Sequence, residues 1–509
     1  MSRITTTERV RPDHPGPVGW EAHAAAVRRL KESYDAIPAG SPVRLAKRTS
    51  NLFRVRSGTA TTPGLDVSGL RGVIAVDTER RTADVQGVCT YEDLVEVTLA
   101  HGLIPLVVPQ LRTITLGGAV TGLGIEATSF RNGLPHESVL EMDILTGNGE
   151  VVTAAPEGPT ADLFATFPNS YGSLGYATRI RIELEAVPGY VDLRHARLGD
   201  LDDLPAMVDQ VVADRAWEGV RVDGIDGVVF DPTEAYLTLA TWRPDAPAGG
   251  ASDYTGQEIY YRSLQRRSRD VLTMHDYLWR WDTDWFWCSR AFGAQHHLVR
   301  RVWPRRLRRS DVYHRLVGLE NRYGVMARLD ARRGLPPRER VIQDVEVPVE
   351  RTPSFLRWFD EHVGMRPVWL CPLRLREPSG PGSARRWPSY PLEPGTTYVN
   401  VGFWGTVPVA PGAADGDLNR AIEQRVTELG VTVAGREEHV LPVTRGHAVS
   451  SRSAVLGRGR FQGREQVRLV DRLSGTRVGV PDHGAGEPGA RASAAVRRNA
   501  HRAARVGAQ

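Results

Sequence analysis

The chain has 509 residues, 41% of them hydrophobic and 25% charged, with a formal net charge of +5. This ordinary globular composition excludes collagen-like, wholly disordered and polytopic membrane classes and leaves room for about two to four domains. The positive balance points to an anionic partner: nucleic acid, a phosphorylated cofactor or an acidic membrane surface. Cys89, Cys288 and Cys371 are too few and too far apart for a disulfide framework or a zinc cluster; they read as inert thiols in a reducing compartment. The first residues lack the apolar core of a signal peptide, and no apolar run is long enough to cross a bilayer.

Residues 1–18 are polar and Pro-rich and read as a flexible arm. Apolar spacing predicts a helix over Trp20–Ala36, stopped by Pro38 and Gly40. Short β-type runs follow at Val73–Gly87, Leu103–Pro109, Val139–Ala154 and Tyr176–Val187, with a helix at Tyr91–Gly102. Thr146–Glu150 (TGNGE) carries an Asn-Gly hairpin signal. A second α+β unit starts near Asp192, with a helix at Leu201–Asp214 and a hairpin of Val220–Phe230 and Glu234–Trp242. Strands are expected at Val341–Val349, Pro367–Arg376 and Thr397–Gly405, and a helix at Pro353–Gly364.

The strongest local signal is Pro109–Gly133, which packs Gly117, Gly118, Gly122 and Gly124 into eight residues. Such glycines let a backbone approach a ligand and present bare N–H groups to it. Upstream, Val43–Arg54 gathers the basic and hydroxyl groups that hold phosphate. Gly122–Ala127 formally matches the dinucleotide fingerprint, but a true one opens a helix in a parallel βαβ unit, and here polar SFRNG follows. A structural glycine loop and a cofactor cradle both remain open on the residues alone.

Taken in order, the basic loop, Leu106–Val152, Phe167–Leu184, Val341–Val349, Pro367–Arg376 and Tyr398–Gly405 resemble vanillyl-alcohol-oxidase (PCMH-type) flavoproteins, most of all the delta-24-sterol reductases and their actinobacterial relatives. The likeness spans residues 40–425. It implies an α+β protein with a two-subdomain FAD-binding domain over 19–190 and an α+β substrate, or cap, domain over 191–430. Arg44, Lys47, Thr49, Ser50 and Asn51 are then expected at the pyrophosphate. Gln110, Thr115, Gly117, Gly118, Thr121, Gly122, Gly124 and Ser129 are expected along the flavin, with Gly172 and Gly175 allowing close approach of the last strand. The basic loop has no histidine to attach a flavin covalently, so the FAD is expected to be dissociable, with NADPH as electron donor by resemblance.

In related enzymes an acidic residue four before a proline on a cap strand points at the flavin; here that is Asp344, before Pro348. An isolated C=C is unpolarised, so a general acid must protonate one carbon as hydride reaches the other, and a buried carboxylic acid of raised pKa suits that role. Asp344 leads as catalytic acid, with Gln343 and Glu126 behind it; the alternatives are a carboxylate that fixes the turn before Pro348 or pairs with an arginine, an oxidase-like base, and a loop-bonding role for Glu126. Trp369, Arg374, Tyr398 and Asn400 are expected at the substrate. The resemblance offers a methylene-branched fatty acyl chain, favoured by the Arg-for-Lys texture of a high-GC genome, or a sterol side chain. The other readings are an alcohol oxidase or dehydrogenase on the same fold and, outside it, a nucleic-acid binder.

Trp279, Trp281, Trp285, Phe286 and Trp287 are followed by six arginines between Arg300 and Arg309. That pairing suits peripheral contact with an anionic membrane, a Trp-rich core beside a solvated basic face, or an arginine site for the 2′-phosphate of NADPH. The expected location is cytoplasmic, at the inner face of the cell membrane in the first case. Residues 431–509 hold 14 Arg and no Lys against 6 Asp+Glu, a charge of +8, which leaves the rest of the chain at −3. They match nothing in the family pattern and read as a disordered extension or the product of a shifted reading frame.

Overall fold

A computed structural model describes residues 16–38, 43, 45–47, 64–122, 124–172, 174–376, 387–390 and 392–429. Arg44, Thr49, Ser50 and Asn51 of the basic loop, most of the N-terminal arm and the whole 431–509 tail lie outside them.

The first part of the chain forms α1 (Gly19–Asp35), β1 (Val73–Asp77), β2 (Thr82–Gln86), α2 (Tyr91–Leu99), β3 (Leu103–Pro105), α3 (Leu116–Thr121), α4 (Ser129–Asn132), β4 (Val139–Leu145), β5 (Val151–Ala154), α5 (Ala161–Thr166) and β6 (Tyr176–Ala186). It continues with β7 (Tyr190–Leu198), α6 (Leu204–Asp214), β8 (Ala216–Trp217), β9 (Val220–Arg221), β10 (Gly224–Asp231), β11 (Glu234–Arg243), α7 (Tyr260–Ser263), β12 (Arg269–Thr273), α8 (Met274–Leu278) and α9 (His297–Val302). The remainder is α10 (Ser310–Tyr323), α11 (Val325–Arg332), β13 (Arg338–Pro348), α12 (Thr352–His362), β14 (Val368–Arg374), β15 (Thr397–Pro408) and α13 (Asp417–Glu428). The protein is therefore mixed α+β.

Local chemistry accounts for several boundaries. The Thr90 hydroxyl accepts from Asp93 N at 3.1 Å and starts α2. Between β4 and β5, Thr146 N reaches Glu150 O at 2.9 Å, with Gly149 at φ +87°, as the Asn-Gly signal predicts. The glycine-rich segment departs from its reading as a loop. It holds α3, capped where Gly118 N donates to Thr115 Oγ1, and then α4.

Two larger sheets result. In the first, β1-β2-β6-β4-β5 lie side by side and β3 also pairs with β6. In the second the order is β12-β7-β11-β10-β14-β15-β13. All pairings between these strands are antiparallel, so the Gly122–Ala127 fingerprint opens no parallel βαβ unit. Side chains alternate across the second sheet. On β13, Val341, Val345 and Val347 pack with Phe355, Phe359, Ile422 and Val426 beneath α12 and α13. The opposite face joins the first sheet in one continuous apolar core.

The aromatic block lies in that core. Trp279, Trp281, Trp285, Phe286 and Trp287 are all buried, which removes them from the expected membrane contact. Half of the arginine run is structural too. Arg300 is buried and ion-paired to Asp284 at 2.6 Å, and its Nε donates to Gly256 O at 2.8 Å. Arg308 is buried against backbone carbonyls, and Arg309 holds Glu92 at 2.7 Å.

A fully buried ion cluster joins the second sheet to the glycine segment. Arg280 Nη2 donates to Glu126 Oε1 and Asp226 Oδ2, each at 2.8 Å, and Nη1 to Tyr277 O at 2.8 Å. Trp281 Nε1 also donates to Asp226 Oδ2 at 2.8 Å. Removing one partner of such a cluster strands the others. We expect Arg280→Met to lower stability by about 3 kcal/mol or more in urea denaturation. The loss should be larger at pH 8 than at pH 5, because the stranded carboxyls escape part of the penalty by binding protons. A loss independent of pH would refute the ion-pair account.

Candidate functional site

The glycine segment is built around close backbone approaches. A Cβ on Gly117 would lie 2.5 Å from Gly87 O, and one on Gly124 would lie 2.8 Å from Pro135. Gly175, at φ +132°, sits where a Cβ would meet Leu145 O at 2.2 Å. Gly117 and Gly124, expected to line a ligand, are thus explained by packing, whereas Gly175 allows the close strand approach expected of it. Thr121 and Ser129 likewise serve the segment itself: Thr121 Oγ1 donates to Gly117 O at 2.7 Å, and Glu126 N donates to Ser129 Oγ at 3.1 Å.

Gly118 differs. Among the described residues of 109–133 it is the exposed one, and a Cβ there would meet only Thr115 Oγ1. Lys47 Nζ lies 3.4 Å from that hydroxyl, so a cation from the basic loop stands over the glycine turn. The 167–175 loop closes on the same helix, with Asn169 N on Val120 O at 3.1 Å and Tyr171 N on Thr121 O at 2.8 Å. Asn169, Tyr171 and Gly172 all have positive φ, a strained run of the kind that clusters at binding sites. Tyr390 donates to Gly122 O at 2.6 Å and stacks on His136, their ring centroids 4.7 Å apart.

Several buried polar atoms around this segment find no hydrogen-bond partner among the described residues: Gln110 Nε2, Asn169 Oδ1 and both ring nitrogens of His136. Burial lowers the His136 pKa to about 3, so the ring is neutral and offers one donor and one acceptor. Native proteins rarely leave such atoms unsatisfied. A basic group over an exposed glycine turn, ringed by unspent donors and acceptors, fits a nucleotide cofactor such as FAD. Lys47, Gln110, Thr115, Gly118, Gly122 and Gly172 are the described residues that would hold it, joined by His136 and Asn169.

The second half of the site lies on the inner face of the second sheet. Asp344 and Glu346 of β13 stand there two residues apart, opposite Gly402 and Asn400 of β15. A Cβ on Gly402 would come within 2.9 Å of Asp344 Oδ1, so that glycine makes room for the carboxyl. Asn400 Nδ2 donates to Glu346 Oε1 at 3.2 Å, while Glu346 Oε2 and Asn400 Oδ1 find no partner among the described residues. Asp344 keeps some accessible surface although its carboxyl is enclosed by protein. Burial raises its pKa to about 7, and burial with the nearby Asp344 charge raises that of Glu346 to about 8. The surroundings are apolar: Phe286 lies 4.2 Å from Trp404 and 5.5 Å from Trp369, centroid to centroid, and 4.9 Å from Trp281.

The other expected residues divide by strand parity. Trp369, Tyr398 and Asn400 share the inner face with Asp344. Gln343 does not: it points the other way and donates to Asn419 Oδ1 of α13 at 2.8 Å, so it is withdrawn as a catalytic candidate. Arg374 is corrected for the same reason, since it faces α6, where its charge acts on Asp209. Glu126 sits at the junction of the two halves, but Arg280 holds one of its oxygens. Glu346 went unnoticed in the sequence. The i, i+2 rule applied to Asp344 would have found it.

Both carboxyls have folded pKa values above their ordinary ones. They therefore contribute stability fully below the ordinary values near 4, and lose it as pH rises through about 7 to 8. Asp344→Asn with Glu346→Gln should flatten this fall. Relative to the native chain, the double variant should gain at least about 1 kcal/mol on going from pH 5 to pH 9, a pKa unit being worth roughly 1.4 kcal/mol. Parallel stability–pH curves would show that neither group is desolvated.

Residues 35–155 match the FAD binding domain family. Delta(24)-sterol reductase of Arabidopsis thaliana is 26% identical over 352 residues, covering 66% of this chain and 60% of that protein. The Homo sapiens delta(24)-sterol reductase is 22% identical over 354 residues, 66% of this chain and 63% of that one. Cytokinin dehydrogenase 10 of Oryza sativa subsp. japonica is 34% identical over 157 residues, 31% of this chain and 28% of that protein. The chain thus spans about three fifths of the length of these sterol reductases. It carries a PCMH-type FAD-binding domain and resembles delta(24)-sterol reductases across about two thirds of its own length, as an FAD oxidoreductase of this family would.

Proposed function

We infer that this chain is an FAD-dependent reductase of an isolated carbon–carbon double bond in a lipid, a methylene-branched fatty acyl chain in the favoured case or a sterol side chain in the other. The FAD is non-covalent, and NADPH is the electron donor. In this reading residues 19–190 are the two-subdomain FAD-binding domain and 191–430 the substrate domain.

The observation that carries it is the Asp344–Glu346 pair, two carboxyl groups of raised pKa set beside a wall of tryptophan and phenylalanine. Bound FAD would supply hydride transfer. The chain supplies the proton. Near neutral pH about half of Asp344 carries one, and a carboxylic acid in an apolar recess can pass it to an alkene carbon that water would not protonate. Glu346, protonated over a wider range, keeps a second negative charge away from Asp344, and Asn400 fixes its orientation. Trp281, Phe286, Trp369 and Trp404 exclude water and favour an apolar chain.

A second reading is oxidation of an alcohol on the same fold, with ionised Asp344 taking up the proton; the likeness to a dehydrogenase supports it only in the direction of electron flow, from substrate to flavin. One experiment separates the two. The yellow protein is reduced anaerobically with NADPH and mixed with phospholipid bearing a methylene-branched acyl chain, and flavin reoxidation is followed. We expect a reoxidation rate that falls as pH rises through about 7, and a loss of about 10²- to 10⁴-fold in Asp344→Asn with reduction by NADPH unchanged. An unaltered variant would dismiss Asp344 as the acid. Flavin reduction by simple alcohols, with hydrogen peroxide released in air, would favour the second reading.

A further inference from the structure

Among the described residues, nine of the twelve exposed large apolar side chains fall between Leu298 and Leu335. Val302 is 79% exposed and Leu298 58%. On α11 no side chain is buried, and Val325, Met326 and Leu329 stand exposed on one helical face. On α10, Leu319 is exposed between Arg315 and Arg322, four residues before and three after it. A short helix that buries nothing has no packing to stabilise it, so its apolar face calls for a partner.

The charge of the segment selects that partner. Residues 297–338 hold 12 Arg against three acidic residues, Asp311, Glu320 and Asp330. Arg300, Arg308 and Arg309 are used internally, but Arg301, Arg305, Arg306, Arg328, Arg332 and Arg333 are exposed. A second copy of the chain would set two strongly positive faces against each other. The basic 431–509 tail would be repelled in the same way. Nucleic acid would satisfy the arginines and leave Leu298, Val302, Val325 and Met326 in water. An anionic bilayer satisfies both: the apolar side chains enter the headgroup boundary, and the arginines meet lipid phosphates.

We propose that α9, α10 and α11 form a docking surface for an anionic lipid membrane. Each exposed arginine near such a surface strengthens partitioning about fivefold, an effect that salt screens. The exposed residues of this surface include neither Asp344 nor any residue of the glycine segment, so its test does not depend on the proposed reaction.

The full flavin-loaded chain is sedimented with vesicles of phosphatidylcholine alone and of phosphatidylcholine mixed with phosphatidylglycerol. Binding to the anionic vesicles should be at least about tenfold stronger and should weaken as salt rises. Met326→Asp with Leu329→Asp, and separately Arg328→Glu with Arg332→Glu, should each reduce it about tenfold or more while leaving the visible flavin spectrum and the melting temperature unchanged. Equal binding to both vesicle types, or variants that bind like the native chain, would overturn the proposal. So would a native dimer that the variants convert to monomer, because the face would then be a self-interface.

Discussion

The guanidinium of Arg280 ties the second sheet to the glycine segment. It is buried, it bonds Glu126 of the glycine segment and Asp226 on β10, and it lies over the Tyr277 ring, 4.0 Å from its centroid. Coulomb attraction in a dry interior is strong, but so is the cost of desolvating three charges, and such a cluster is favourable only with every partner present. It thereby fixes where the inner face of the second sheet meets the glycine segment. The distance between a bound cofactor and the β13 carboxyls follows from that junction, and so does any chemistry the two halves perform together.

Desolvation shapes the rest of the site in the same way. The aromatic block fills the space between the sheets, and Trp285 and Phe286 adopt left-handed backbone conformations to do so. Apolar rings around Asp344 and Glu346 leave those carboxyls little to stabilise a charge, which raises both pKa values. Glu126, burdened by the same desolvation and by Asp226, also rises, to about 7, despite its bond to Arg280. Buried acids are thus a general property of this interface. Geometry distinguishes Asp344: alone of the three, it keeps accessible surface.

Burial also divides the arginines. Arg300 and Arg308 are fastened to backbone carbonyls and Asp284, whereas their neighbours Arg301, Arg305 and Arg306 face outward with Leu298, Val302 and Leu307. A run that looks uniform in sequence is half internal staple and half surface. The tryptophans beside it went wholly inside because large aromatic rings release the most water per side chain on burial.

Much was legible in the sequence because it rests on local rules. The helix at Tyr91–Gly102, the hairpin at Thr146–Glu150 and the strands β13, β14 and β15 follow from side-chain size, hydrogen bonding and the period of the strand. The ordered glycine and hydroxyl motifs pointed to the FAD-binding domain that residues 35–155 match. Tertiary structure decided the pairing of distant groups. It joined Arg280 to Glu126 across 154 positions, turned Gln343 and Arg374 away from Asp344, and set Glu346 against Asn400. It also assigned Gly117 and Gly124 to packing and left Gly118 open. A sequence specifies which groups are available and which strand face they share. Which groups lose water together depends on contacts between residues far apart in the chain, and that shared loss of water sets the charges and the acids of this site.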